Sequence, residues 1–281
     1  MNISLTQYGL VIGNVQSWTY PGGEVGVRVD MDKSQALVSI DITAKISDSN
    51  GIMALLLVAD AMKRQKISLA DTTLYLPYMP YARQDRVAVS GDPYSIRVFA
   101  SLIDSLGVAR IWTLDPHSPI SEAVFHNTHV DVDDGKLYAI SFIQKTYNWV
   151  NSVLVVPDEG AMKRVRRIAD CLNLPTALMT KRRDPVSGAL QGFELLSGDV
   201  QGKTCFVIDD ICDGGGTFLG IASVLRDHNA KEQHLYVTHG IFSQGCDKLF
   251  ESFASIGCTN SFRKAADYDK RVHVQHIAYP Q

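Results

Sequence analysis

The sequence predicts an α/β protein of two similar domains, each a mostly parallel sheet flanked by helices. Three observations predict it. Short apolar runs alternate with helix-like stretches along most of the chain, and such alternation builds parallel sheets covered on both faces. The second half repeats the scheme of the first. The 281 residues, 46% hydrophobic and 20% charged, suffice for two cores of ordinary size.

In the first half, residues 36–40 (ALVSI) and 72–76 (TTLYL) read as strands, with a helix over 50–65 between them. A helix over 93–106 leads to a strand over 109–115, and FHNTHVDVDD (125–134) reads as a loop and edge strand rather than a metal cluster. A boundary near GKLYAI divides the chain into domains 1–134 and 135–281. The second domain carries strands over 152–157, 175–179, 204–209 and 233–238, with helices over 160–172 and 217–229. The last residues alternate apolar with polar and could close either sheet, including a return to the N-terminal one.

Composition excludes several classes. A net charge of −3 argues against a nucleic-acid binder, which usually carries a basic excess. No stretch approaches the roughly 18–20 apolar residues that span a membrane, and no basic start precedes an apolar run. The five cysteines, all in the second half and without a CxxC pair, read as reduced, mostly buried thiols. The expectation is a soluble cytoplasmic protein.

The chemistry concentrates in CFVIDDICDGGGTFLGIASVL. An apolar strand, Cys205 to Ile208, delivers Asp209 and Asp210; Asp213 then opens the run Gly214, Gly215, Gly216 and Thr217, and an apolar-periodic helix follows. In open α/β sheets, ligands sit outside the carboxyl ends of strands. The glycines let backbone N–H groups turn inward, and the helix start adds unpaired donors and positive partial charge, which together suit a phosphate. Thr217 is placed to cap the helix. Two carboxylates beside a phosphate cradle would repel the phosphate, but they would accept two neighbouring ribose hydroxyls. A plain Gly-rich turn explains DD or GGG alone, but not the complete order.

That order resembles the phosphoribosyl-pyrophosphate loop shared by type I phosphoribosyltransferases and ribose-phosphate pyrophosphokinases. Other segments select the second group. LPYMPYARQDR (76–86) resembles its ATP-site segment, which implies that Arg83 and Gln84 contact the nucleotide, with Asp85 and Arg86 as structural partners. TLDPHSP resembles the segment whose histidine, here His117, helps hold ATP and magnesium. VVPDEGAMKRVRRIA resembles the segment with a magnesium-linked aspartate, here Asp158. MTKRRDPVSG resembles the mobile catalytic loop, with Lys181 and Arg183 as the cations that close on the moving diphosphate. TYPGGE, with Tyr20 and Glu24, resembles a segment that packs on adenine from a neighbouring subunit. The matches run in the family's order from about residue 20 to 242. The basic helix KRVRRIAD reads as a solvated face near an anionic substrate.

The resemblance implies transfer of the β,γ-diphosphoryl group of Mg-ATP to the anomeric hydroxyl of a 5-phosphorylated ribose, ribose 5-phosphate by default. It also implies Mg2+ as cofactor and a homo-oligomer. Three departures stand out. Gly214 replaces a common threonine, which removes a hydroxyl donor worth about 1.5–3 kcal/mol to a charged phosphate. The roomier loop points to ADP-ribose as the alternative acceptor. Tyr20 and Gly22 replace a Phe and an Asn or Asp, and the chain is shorter at its start without an obvious first helix. A phosphoribosyltransferase and a non-catalytic regulatory relative are the rival readings.

Overall fold

A computed structural model of the chain describes residues 2–31, 40–146, 149–183 and 190–280; the side chains of residues 2, 146, 150, 182–183 and 190–191 lie outside that description. The chain forms two compact units. One comprises Met1–Asp133 with Ser261–Arg263 and Ala278–Gln281, the other Asp134–Asn260 with Lys264–Ile277.

The first unit opens with an antiparallel meander, β1 (Asn2–Gln7), β2 (Leu10–Thr19) and β3 (Val25–Met31). Sequence reading passed over these strands. Tyr8 and Gly9, at φ +49° and +78°, form the two-residue turn between β1 and β2, a left-handed pair that matches the twist of a hairpin. The α/β part follows as β4 (Asp41–Lys45), α1 (Ser49–Arg64), β5 (Thr73–Leu76), α2 (Ser95–Asp104), β6 (Arg110–Leu114), α3 (Ile120–Ala123) and β7 (His129–Asp133). Asp48 caps α1 by accepting the Gly51 N–H at 2.8 Å. The expected strand over 36–40 falls almost wholly outside the described residues, and β4 begins just after it, at Asp41.

The seven strands run in the order β3-β2-β1-β4-β5-β6-β7, with β4 to β7 parallel. Each crossover from β4 to β7 advances one place in the same direction. Crossovers of one hand running one way put their helices on one face. The core bears this out: Ile42, Leu74 and Ile111 pack with Leu55 and Val58 of α1 and Phe99 of α2. The opposite face presents Thr43, Tyr75 and Trp112 to a trough of about 990 Å³. Among the described residues, α1 and α2 thus flank one face of this sheet, and the β1–β2 connection is a tight turn.

The second unit contains α4 (Lys136–Thr146), β8 (Ser152–Val156), α5 (Met162–Leu172), β9 (Thr176–Arg183), β10 (Leu190–Ser197), β11 (Thr204–Cys212), α6 (Gly216–Asp227), β12 (Glu232–Gly240), α7 (Asp247–Phe250), β13 (Ser255–Thr259) and β14 (His273–Gln275). The sheet order β10-β9-β8-β11-β12-β13-β14 reverses direction at β8 and β11. Helices consequently cover both faces: α4 and α5 pack on one side with Val165, Ile168 and Phe206, and α6 and α7 on the other with Ile221, Leu225 and Leu249. The reversal is the switch point at which α/β sheets bind ligands. The C-terminal residues serve both sheets, β14 pairing with β13 while the Tyr75 hydroxyl donates to the Pro280 carbonyl at 2.8 Å in the first unit. All five cysteines are free, and only Cys171 is exposed.

Candidate active site

β11 outruns its neighbour at the switch point. Val207 is its last residue level with β8, whereas pairing with β12 continues through Cys212. The strand expected over 204–209 thus extends three residues further and carries Asp209 and Asp210 within it, at a stretch where only one flank is occupied by a strand. The other flank receives the loop after β8 and the start of α5.

Arg164 of α5 enters there. Its side chain is only 14% exposed, with Nη1 3.4 Å from Asp209 Oδ1 and Nη2 3.9 Å from Asp210 Oδ2. One guanidinium thus spans two adjacent carboxylates, as its planar fork allows. Burial, reinforced by the neighbouring Asp210, lifts the Asp209 carboxyl well above the usual carboxylate range, and Arg164 opposes that rise. The Asp209 Oδ1 also accepts the Asp210 N–H at 2.9 Å, which fixes the side chain. The reading of KRVRRIAD as a solvated face is corrected at this residue. The signal was present: Arg164 lies on the buried stripe of α5 with Ile168 and Leu172, spaced by four.

Asp213, Gly214 and Gly215 join β11 to α6. Gly215 occupies the N-cap at φ +82°, where an added Cβ would lie 3.2 Å from Leu249 Cδ2. A Cβ at Gly214 would meet only Gln244 Cγ, at 3.7 Å, and one at Gly216 nothing within 4 Å. No side chain caps α6, so the expectation that Thr217 does so is corrected: the helix starts at Gly216, and Thr217 already lies inside its first turn. The N–H groups there remain directed at the loop. Ser243 pins the loop from the segment after β12, its hydroxyl donating to Asp213 Oδ1 at 2.7 Å and its N–H to the Asp213 carbonyl at 3.1 Å.

Asp158 follows β8. Its Oδ1 accepts the Gly160 N–H at 3.0 Å and its Oδ2 takes the Lys181 ammonium at 2.8 Å. Both side chains are about one-third exposed, at 37% and 33%. Lys181 and Arg183 stand on β9, not in a loop after it, because β10 holds Lys181 level with Phe193 and Arg183 level with Leu190. The Arg183 side chain and residues 184–189 lie outside the described residues. The second unit therefore gathers Asp158, Lys181, Asp209, Asp210 and the loop 213–217 around its switch point, with Arg164 between them.

The first unit holds the remaining candidates. Tyr20 and Glu24 close the β2–β3 hairpin through a Tyr20 N–H to Glu24 carbonyl bond of 2.8 Å, and the Tyr20 ring meets Trp18 edge-on at 5.9 Å. Arg83 and Gln84 are exposed in the turn before α2, where Gln84 Oε1 accepts the Ser95 hydroxyl at 2.5 Å. Asp85 beneath them is buried. Arg86 grips it at 2.9 and 3.2 Å and, with Ser118 and His117, holds its carboxyl below the ordinary value. Asp85 thus ties the turn of Arg83 and Gln84 to the exposed His117 loop. Two backbones there are left-handed, Tyr81 at φ +62° and Asp115 at φ +40°, uncommon for such residues and frequent at binding sites.

The chain is similar to known proteins along most of its length. The phosphoribosyl transferase domain matches residues 133–269, and the N-terminal domain of ribose phosphate pyrophosphokinase matches residues 5–107. A ribose-phosphate pyrophosphokinase of Caldanaerobacter subterraneus is 34% identical over 245 residues, covering 87% of this chain and 76% of the relative. The chain belongs to the ribose-phosphate pyrophosphokinase family. Ribose-phosphate pyrophosphokinase 2 of Saccharomyces cerevisiae is 36% identical over 222 residues, 78% of this chain and 68% of that protein. The crystal structure of phosphoribosylpyrophosphate synthetase from Mycobacterium smegmatis superposes with a TM-score of 0.80 at 27% identity, over 95% of this chain and 87% of that one. The family is one of diphosphotransferases, and the fold, two α/β units with a seven-stranded sheet each, is that of a solved member. No helix among the described residues is long and apolar enough to cross a membrane.

Proposed function

We propose that the chain transfers the β,γ-diphosphoryl group of Mg-ATP to the anomeric hydroxyl of a 5-phosphorylated ribose and releases AMP. The observation that carries the reading is the pair Asp209 and Asp210, bridged by Arg164, one turn of chain before an N-terminal helix cradle. Buried carboxylates held apart by a shared guanidinium keep acceptor lone pairs aimed outward for vicinal hydroxyls. The cradle of 213–217 takes the 5-phosphate on its N–H groups. Ribose bound between the two is oriented for in-line attack on the β-phosphorus, so positioning supplies much of the rate. Lys181 and Arg183 neutralise the charge on the diphosphate as the bond to AMP breaks. Tyr20, Glu24, Arg83, Gln84 and His117 serve the nucleotide.

Mg2+ takes oxygen ligands and keeps water and substrate phosphates around it, so a one-third-exposed carboxylate such as Asp158 fits in the second unit, while His117 is the metal candidate of the first. When bound, it would offset phosphate charge and polarise the β-phosphoryl group. Asp158 Oδ2 holds the Lys181 ammonium at 2.8 Å, which keeps the cation beside the site.

Ribose 5-phosphate is the acceptor by kinship. A second reading, ADP-ribose, is favoured by the open space at Gly214 and Gly216. A loop with one hydroxyl donor fewer, at Gly214, and with room beyond it holds a phosphodiester with less loss than it holds a dianionic monoester. Incubating the protein with Mg-ATP and either acceptor, with products identified by mass spectrometry, separates the readings. AMP with ribose 5-phosphate supports the first, and AMP with ADP-ribose alone supports the second. AMP with neither refutes the proposal. The Lys181→Ala/Arg183→Ala protein is expected to keep its fold and lose turnover by at least about a hundredfold, as removal of transition-state cations does.

A further inference from the structure

The loop of Asp213, Gly214 and Gly215 is held from one side by the segment 241–245. The N–H groups of Ile241 and Phe242 both donate to the Cys212 carbonyl, at 2.9 and 3.0 Å, and Ser243 adds its two bonds to Asp213. Phe242 anchors the segment. It is buried, takes a left-handed backbone at φ +47°, and meets the Tyr268 ring edge-on at 6.2 Å. A left-handed backbone is costly for a bulky residue and persists only where its surroundings fix it. Gly245 then turns the chain back at φ +73°, its N–H donating to the Phe242 carbonyl at 3.0 Å. Gln244 stands between these two left-handed residues, so its backbone is fixed against the loop while its side chain stays exposed.

Gln244 also reaches the space left open at Gly214. A Cβ there would meet Gln244 Cγ at 3.7 Å and no other described residue within 4 Å. The carboxamide follows directly on that Cγ, and it carries two N–H donors and no charge. We propose that Gln244 binds the acceptor substrate, its Nε2–H reaching across Gly214 to a non-bridging oxygen of the 5-phosphate, on the reading that the loop 213–217 takes that phosphate. Residue 244 thus supplies from a neighbouring turn the donor that a hydroxyl side chain at 214 would supply from the loop itself. A neutral donor serves a phosphodiester as well as a monoester, because it does not depend on the second phosphate charge. It follows that a side chain at 214 and the carboxamide compete for one place.

Steady-state kinetics on the full chain, with the acceptor that the wild-type protein turns over, tests this as a double-mutant cycle between positions 214 and 244. Gln244→Met keeps the reach of the side chain and removes the donor. It is expected to raise the KM for the acceptor about tenfold, the loss of one hydrogen bond to a charged group, and to leave the KM for ATP within about twofold. Gln244→Glu keeps the shape but sets a charge against the phosphate, for a rise of about a hundredfold. In the Gly214→Thr background the threonine hydroxyl already fills the place, so Gln244→Met is expected to cost less than about twofold there. Calorimetric titration of each folded variant with the acceptor, without ATP, should give the same order of affinities. A glutamine that only shaped the turn would cost the same in both backgrounds. An acceptor KM unmoved by Gln244→Met and Gln244→Glu, or an equal loss in both backgrounds, overturns the proposal while AMP formation by the wild type still supports the diphosphoryl transfer. Wild-type protein that forms no AMP with either acceptor overturns both.

Discussion

A guanidinium shared by two adjacent carboxylates is unstable to the loss of any one member, and this makes Arg164 the most informative residue of the site. Without it, Asp209 and Asp210 face each other in a largely buried setting, and one of them must take a proton at neutral pH. A protonated carboxyl loses acceptor capacity toward a ribose hydroxyl. Arg164→Met is therefore expected to raise the KM for the acceptor by about 10–100-fold, equivalent to one or two charged hydrogen bonds. The KM for ATP should change little. Arg164→Lys should recover only part of the loss, since a single ammonium cannot reach both carboxylates. Steady-state kinetics with each substrate varied in turn makes the distinction. Asp209 offers the converse. Its folded-state carboxyl is raised, so as pH climbs from about 4 the unfolded chain ionises first and the folded state loses stability; above the folded value the deficit is constant. Asp209→Asn removes this deficit while its carbonyl keeps the Asp210 N–H bond. The variant is expected to melt a few degrees above wild type at pH 7.5, the gap closing as pH falls toward 4, and to bind acceptor poorly. Scanning calorimetry across that range checks the sign: a gap that widens on acidification contradicts the assignment.

At the scale of elements, the loop between β11 and α6 contains glycines of two kinds. Gly215 needs its left-handed backbone and sits against Leu249, so Gly215→Ala pays a left-handed penalty of about 1–2 kcal/mol and a steric one besides. Gly214 has room, so Gly214→Ala should leave stability unchanged within about 0.5 kcal/mol. Gly214→Thr restores a hydroxyl donor and is expected to improve kcat/KM for ribose 5-phosphate by about tenfold while leaving less space for a substituted phosphate. Urea denaturation and paired kinetics on the three variants separate the two roles. This loop was legible in the sequence because strand, carboxylates, glycines and helix follow one another locally. What escaped was of longer range. The burial of Arg164 depends on α5 crossing the end of β11, forty-five residues away in sequence. Lys181 lies on a strand rather than in a loop because β10 pairs with it, and a strand partner cannot be read from one strand. The N-terminal meander was missed because its alternation is weak: β2 buries only Ile12 and leaves most of its length exposed. The cap of α6 was misjudged by two residues, the ordinary uncertainty of a helix start without its turn geometry.

At the scale of the whole molecule, the two units differ in a way that follows from strand order alone. The second unit's sheet reverses direction at its centre and is enclosed by helices on both faces, with two apolar clusters. The first unit's sheet advances one way from β4 to β7 and owns one cluster on one face. Burial of apolar area is the main favourable term in folding, at about 25 cal/mol per Å². Strands of the second unit, buried on both faces, gain from each side chain; β8 is buried at all five positions. In the first unit, β4 gains only from alternate ones, being buried at Ile42 and Ala44 alone. The amide protons of β4 should therefore lose protection at lower urea than those of β8, β11 and β12, since local stability tracks buried contacts. Hydrogen exchange followed by mass spectrometry on peptides from each strand gives the order directly. Equal protection of β4 and the second unit's strands would mean that the polar face of β4 costs the first unit nothing, and that strand order does not set the hierarchy of stability in this chain.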